Sequence, residues 1–225
     1  MEAKNTTDTL AHGDGVMSDN LCYAGQWILE IENSLADIPE HFQKAIKKIR
    51  RKTAKEMIHK SQRTQRNWDN SIEIPQEDVD IISEASTQCP VKHDQNYYKS
   101  HIITNREKIV RIYSQTEGFG IKSLANLLVV FTKDQPNPNI TVDDAKTHSD
   151  DRLQTVGIAA GCASMAAVIM GYATGFCKSF DGNGIANELD GEEPILLLGI
   201  GYPENDEDVE YPSFSNKRQI SVAHQ

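Results

Sequence analysis

The 225-residue chain lacks the motifs that mark several large classes of enzyme. Its four cysteines form no C-x-x-C pair, so neither a zinc ribbon nor a thioredoxin motif is present. It contains no Walker A sequence, no H-E-x-x-H and no G-x-S-x-G elbow. We therefore predict no metal site, and we do not expect P-loop, zinc-peptidase or serine-hydrolase chemistry.

Long apolar runs and a secretory leader are also missing from the sequence. No apolar run reaches about 18 residues without interruption, so we predict no membrane span and no membrane partner. No basic n-region followed by an apolar h-region opens the chain, so no signal peptide is expected. The unpaired cysteines fit a reducing compartment, which predicts a cytoplasmic location.

Positive charge is scarce overall but concentrated in one segment. The net charge is -10 with a pI near 5.2, which argues against a dedicated nucleic-acid binder. Residues 44–66 nevertheless carry ten Lys and Arg against one acid, Glu56. Apolar residues recur there every three or four positions, at Phe42, Ile46 and Ile49, which predicts an amphipathic helix of about 20 residues. The basic face could be solvated, or it could contact nucleic acid or an acidic partner.

The pattern along the chain predicts a layered domain behind an extension. Residues 1–60 are expected to form a helical N-terminal extension whose first 19 residues are flexible. Residues 61–225 then read as helix, strand, helix, strand, helix, helix, strand, with Pro75 opening the first helix and Asn105 capping the next. The strands, at 100–104, 124–131 and 195–201, are expected to be buried. Such strands favour an α/β or α+β domain whose central sheet is covered on both faces.

The most informative stretch lies between Gly157 and Pro203. It opens with small residues, mixed with larger apolar ones, that predict a helix over about 151–170, apolar on nearly all sides and therefore buried. Gly171 ends this helix, and a turn is predicted over 174–181. A short helix near 185–189 and the strand ending in Tyr202-Pro203 follow.

This order of elements resembles the C-terminal half of the nitroreductase family, the FMN-dependent NAD(P)H oxidoreductases. The residues that carry the resemblance are Gly171-Tyr172, Ser179-Phe180-Asp181 and Gly199-Ile200-Gly201-Tyr202-Pro203. The resemblance covers roughly residues 61–222. It implies an α+β fold with a mainly antiparallel central sheet between helices, and a homodimer with the small-residue helix at its interface and FMN bound there.

The resemblance also assigns the phosphate contacts of the FMN site. The family motif R-R-S-x-R-x-F is matched by Arg63, Thr64, Arg66 and Trp68, while Gln62 stands where the first Arg is usual. A basic pair near the C-terminus of the family reaches the same phosphate. Lys217 and Arg218 match that pair.

Two further pieces of the family site would contact the flavin ring. The loop P-S-x-x-N-x-Q-P-W is matched by Pro90, Asn96 and Tyr98, and it departs from the family at Val91 and Asp94. The resemblance places the backbone N–H groups near Lys178 and Ser179 against flavin N5 and O4, where donors stabilise the reduced ring.

The implied activity is a ping-pong reaction in which NADH or NADPH passes hydride to flavin N5 and a small acceptor then takes the electrons. Nitroaromatics, quinones and free flavins are possible acceptors, and no protein residue is assigned as acid or base. The short connection from Phe131 to Asp150 predicts an open flavin face, or one covered by the N-terminal extension. Two alternatives stay open: another flavin chemistry, such as dehalogenation or flavin fragmentation, and a flavin-free interaction protein that uses the basic helix at 44–60.

Overall fold

The computed structural model describes residues 39–61, 64–91, 97–116, 124–134 and 145–204. The chain divides into two compact units, Met1–Ala54 and Lys55–Gln225. Helix α1 (Glu40–Ser61) begins in the first unit and ends in the second, and its 22 residues confirm the predicted amphipathic helix. Its apolar residues are not covered: Phe42 is 54% exposed and Ile49 is 65% exposed.

The second unit is built on a four-stranded antiparallel sheet in the order β1-β2-β4-β3. The strands are β1 (Tyr98–Ile103), β2 (Leu127–Lys133), β3 (Ala173–Cys177) and β4 (Pro194–Gly201). Residues 98–103 pair with 128–133, and β4 pairs with both β2 and β3, so β1 and β3 form the two edges. The central strands β2 and β4 are almost wholly buried, as their uninterrupted apolar sequences predict.

In the described part of this unit, four helices cover the two faces of the sheet. They are α2 (Gln76–Thr87), α3 (Arg106–Tyr113), α4 (Ala145–Ile169) and α5 (Gly182–Glu188). Pro75 precedes α2, and the side chain of Asn105 accepts a hydrogen bond from the N–H of Lys108 at 2.9 Å, as expected of a helix N-cap. The mixed α+β class and the sheet covered on both faces are thereby confirmed.

Each face of the sheet has its own hydrophobic core. Side chains of α2 and α4, among them Ile82, Val156 and Ala163, pack on Val129, Phe131 and other residues of one face. On the other face, side chains of α3 and α5 pack with Trp68 on alternate strand residues such as Leu128 and Leu197. The residues in these two cores alternate along β2, so its apolar sequence supplies both cores.

Helix α4 lies half in the core and half at the surface. From Thr155 to Val168, pairs of buried residues alternate with pairs that are exposed or partly exposed. Ala159 and Ala163 contact the sheet side, whereas Ile158 is 47% exposed. By length and composition alone the stretch His148–Ile169 could cross a membrane, but its buried half packs as the core helix of a sheet domain does. The helix is thus apolar on most sides, as predicted, with one apolar stripe at the surface of a single chain.

The predicted turn over 174–181 is wrong for its first half, where the structure has strand β3. Thr174 pairs with Ile200, and Gly175 pairs with Gly199, on the edge of the sheet. The glycine and threonine content predicted a turn because glycine weakens a strand, but pairing with β4 and burial of Thr174 decide the conformation. The short helix also begins earlier than predicted, at Gly182, where the Asp181 side chain accepts from the N–H of Asn183.

Candidate functional site

Residues 64–68 lie beside the edge strand β3 and form one side of the candidate site. The N–H of Gln65 donates to the carbonyl of Thr174 at 2.9 Å, and Gln65 is 1% exposed. A Cβ atom on Gly175 would lie 2.3 Å from the carbonyl oxygen of Gln65, a distance that real Cβ atoms do not adopt. Glycine at 175 is therefore required for the motif segment to approach β3 this closely.

Trp68 anchors the same segment in the core. Its indole is 2% exposed and lies over β4, so that a Cβ on Gly199 or Gly201 would come within 3.1 Å or 2.8 Å of the ring. The N–H of Asp69 donates to the carbonyl of Tyr202 at 2.9 Å. Sequence reasoning missed this role for the glycines. Their spacing of two, which puts both on one face of a strand, is the signal that could have revealed it.

The Arg66 side chain lies at the end of β3. Its Nη2 donates to the carbonyl of Phe176 at 3.0 Å, and its charge lies near the thiol of Cys177. Burial raises the pKa of the Cys177 thiol, and the charge of Arg66 only partly opposes this effect. Cys177 is therefore protonated at neutral pH and does not offer a nucleophile.

Lys178 and Ser179 follow β3 directly and are both exposed. The Nζ atom of Lys178 donates to the carbonyl of Ile195 at 2.6 Å, so its side chain is held back over β4. Ser179 is also a backbone hydrogen-bond partner of the Cys177 thiol. Two exposed residues thus follow the end of β3, where the guanidinium of Arg66 donates to the carbonyl of Phe176.

These groups have the chemistry that FMN requires of a binding site. A hydroxyl at Thr64 and a cation at Arg66 suit phosphate or a carbonyl oxygen, and the amides of Lys178 and Ser179 suit the electron-rich edge of a flavin ring. The strongest sign of fit is that these two residues are exposed directly after the end of β3. The residues described on this side of the sheet therefore fit the cofactor.

Of the loop that was also expected at the flavin, the structure describes both ends but not residues 92–96, and Tyr98 begins β1 at the other edge of the sheet. Val91 packs against the core on the α2 face, and the hydroxyl of Tyr98 donates to the carbonyl of Ser86 at 2.8 Å. Three strand spacings of about 4.8 Å separate β1 from β3, which makes about 14 Å across the sheet. Val91 thus contacts the core on the α2 face, whereas Lys178 and Ser179 directly follow the edge strand β3.

Of the predicted site residues, Thr64, Arg66, Lys178 and Ser179 belong to the described part of the chain, and they lie at one strand edge. The others lie outside the described residues: Arg63, Asn96, Lys217 and Arg218, and with them the departures Gln62 and Asp94.

Comparison by sequence finds no relatives for this chain. No family model matches it, and no curated protein sequence matches it. Comparison by structure is informative, because many solved chains share its fold.

Three of these structures illustrate the likeness. An FMN-dependent nitroreductase from Clostridium difficile R20291 has a TM-score of 0.58 at 17% identity, covering 74% of this chain and 98% of that one. A nitroreductase from Exiguobacterium sibiricum 255-15, in complex with FMN, has a TM-score of 0.59 at 18% identity, covering 70% and 90%. The NADPH:FMN oxidoreductase of Vibrio harveyi, complexed with NAD+, has a TM-score of 0.60 at 16% identity, covering 76% and 78%.

The likeness extends over nearly the whole length of the first two structures but over about three quarters of this chain. At such low identity it establishes the fold and not the activity. The resemblance seen in the Gly171-Tyr172 and Gly199–Pro203 segments is confirmed at that level: this chain has the fold of the nitroreductase family.

Proposed function

We propose that this protein is an FMN-dependent NAD(P)H oxidoreductase that reduces a small organic acceptor such as a nitroaromatic or a quinone. The observation that carries the proposal is that two exposed residues, Lys178 and Ser179, directly follow the edge strand whose Phe176 carbonyl accepts a hydrogen bond from Arg66. The fold shared with FMN-complexed and NAD-complexed oxidoreductases supports it.

The chain's own groups would bind and orient the cofactor and would not take part in covalent chemistry. When bound, FMN supplies the capacity to accept a hydride from NADH or NADPH and to return electrons to the acceptor. The amides of Lys178 and Ser179 would donate to the ring edge where negative charge develops on reduction. Thr64 and Arg66 would bind its polar atoms together with Arg63, Asn96, Lys217 and Arg218, which are assigned from the family pattern.

We also propose that the active form is a homodimer in the cytoplasm. The exposed stripe of α4 is apolar and contains Leu153, Ile158 and Ile169, each about half exposed or more, with Gly157 and Gly161 between them. Small residues along a helix allow a second helix to approach closely, and a stripe shared by two copies suits a two-fold interface. A second copy could also supply residues of the loop between Pro90 and β1, because β1 is the far edge strand of the sheet.

The test is the absorbance spectrum of the full chain after incubation with FMN and removal of excess cofactor. We expect flavin bands that bleach on anaerobic addition of NADH or NADPH and return with a nitroaromatic or quinone. Thr64→Val should weaken FMN binding, whereas Ser71→Val, which replaces an exposed hydroxyl bonded to Asp69, should not.

The outcomes separate the possible functions. A protein that folds but rejects FMN overturns the proposal and leaves a flavin-free interaction protein. A protein that binds and bleaches FMN but reduces none of these acceptors keeps the cofactor and points to another flavin chemistry. Product analysis with halogenated phenols and with oxygen would then identify it.

A further inference from the structure

The described first unit, residues 39–54, carries an apolar stripe and a basic face that the proposed oxidoreductase function does not use. At about 100° per residue, Phe42, Ile46 and Ile49 fall within about 60° of one another along α1. Phe42 and Ile49 are 54% and 65% exposed, and Ile46 is half-buried. An exposed apolar stripe of this spacing is the pattern of a helix that docks into a groove.

Positive charge covers the rest of the same helix: Arg50 and Lys52 flank the stripe, at about 70° and 90° on either side of its centre. Lys44, Lys47, Lys48 and Arg51 are all exposed and fall between about 130° and 230° from the centre of the stripe. Helix α1 contains eight Lys and Arg against two acids, in a protein whose net charge is -10. A partner that covers the whole helix would therefore present an apolar surface to one side and an acidic surface to the other.

Three kinds of partner satisfy only one of these requirements. Nucleic acid would bind the cations but leave Phe42 and Ile49 in water. A flat anionic membrane would cover the apolar stripe and reach Arg50 and Lys52 beside it, but it would leave the four opposite cations about one helix diameter away, some 10 Å, which is about a Debye length at physiological salt. A second copy packed stripe to stripe would bring two strongly basic helices together.

We propose that residues 40–54 are the docking helix for an acidic protein of the calmodulin type, whose apolar groove closes around a basic amphipathic helix. Such a partner covers the stripe with apolar side chains and surrounds the opposite face with carboxylates, so both requirements are met at once. Phe42, Ile46 and Ile49 are the anchors, at positions i, i+4 and i+7. The proposal does not depend on whether the second unit binds a flavin.

The test is isothermal titration calorimetry of the full chain with calcium-loaded calmodulin in physiological salt. We expect one calmodulin to bind per chain, and we expect binding to disappear with a calcium chelator because the groove then closes. Phe42→Gln and Ile49→Gln should each weaken binding at least about tenfold. Arg51→Glu, on the opposite face, should weaken it comparably.

The controls are matched substitutions on α3. Val110→Gln replaces a 47% exposed apolar residue, and Lys108→Glu reverses a charge; both should leave binding unchanged. Circular dichroism checks that each variant keeps its helix content. The absence of calcium-dependent binding overturns the proposal. Binding to duplex DNA that Arg51→Glu impairs and Ile49→Gln does not would also overturn it. So would binding to anionic vesicles that Ile49→Gln impairs and Arg51→Glu does not.

Discussion

At the scale of single residues, the site depends on the absence of side chains as much as on their presence. Gly175, Gly199 and Gly201 provide space that Gln65 and Trp68 occupy. The motif residues were recognisable from the sequence because they are charged or polar and regularly spaced. The spacing of Gly199 and Gly201 indicates that both lie on one face of a strand, but it does not identify Trp68, more than a hundred residues away, as the side chain that packs there.

The first prediction concerns Gly175→Ala. The new methyl group would meet a backbone oxygen, that of Gln65 at 2.3 Å, so the motif segment would have to move away from β3. We expect a loss of about 1–3 kcal/mol in the free energy of unfolding, measured by urea denaturation, together with weaker FMN binding. Gly182→Ala is the control, because a Cβ there meets nothing within 4 Å. Equal stability of the two variants would refute the close approach.

Glu192 is a second residue whose single side chain is expected to contribute strongly to the stability of the fold. It accepts hydrogen bonds from Lys99 and from the hydroxyl of Thr132, at 2.8 and 2.7 Å, and it lies 2.8 Å from Nε2 of His101. The hydrogen bond from Lys99, and then those from Thr132 and His101, lower the pKa of Glu192 to about 2. The carboxylate therefore joins the turn before β4 to the two strands β1 and β2.

The second prediction follows from the sign of that shift. A carboxyl whose pKa is lower in the folded state contributes stability above its unfolded pKa of about 4.3, and this contribution is lost as the pH falls toward 2. Glu192→Gln should therefore cost about 1–3 kcal/mol at pH 7 and progressively less below pH 4. Urea denaturation of both proteins at pH 7, 4 and 3 measures this difference. Glu193→Gln, which removes an exposed ion pair with Lys133, should cost little at any pH.

At the scale of elements, most helices and strands were predictable from periodicity and end signals. The helices after Pro75 and Asn105 and the strands β1, β2 and β4 lie close to their predicted positions. Strand β3 was not predictable, because its stability comes from pairing with β4 and not from its own residues. The exposed stripe of α4 was not predictable from the sequence either, since its residues are of the same apolar types as those that face the core.

The third prediction concerns this stripe. If two copies of α4 pack against one another, Ile158→Glu should place two carboxylates in the interface and give a monomer, as measured by light scattering after size-exclusion chromatography. FMN binding should fall as well if the site needs both copies. Ile81→Glu, on α2, replaces an apolar residue of similar exposure, 49% against 47%, and should leave the dimer intact. A protein that is monomeric without any substitution would contradict the homodimer directly.

At the scale of the whole molecule, the chain combines an acidic sheet domain with a basic helix. Composition indicated this asymmetry, and the family pattern located the candidate site in residues 61–225. Neither showed that the described site residues lie at one edge of the sheet while the loop after Pro90 leads into the other edge. That separation is a property of strand order, which depends on pairings distant in sequence.

The last prediction separates the two units. The sheet, both cores and residues 64–66 all lie within Lys55–Gln225, so a truncated chain beginning at Lys55 should fold cooperatively and bind FMN as the full chain does. It should at the same time lose all binding to calcium-loaded calmodulin, because the anchors Phe42, Ile46 and Ile49 are gone. Thermal unfolding, FMN fluorescence quenching and calorimetry measure these three properties on one preparation. Loss of FMN binding in a truncated chain that still unfolds cooperatively would mean that the extension takes part in the flavin site, as a cover over the open face of the ring.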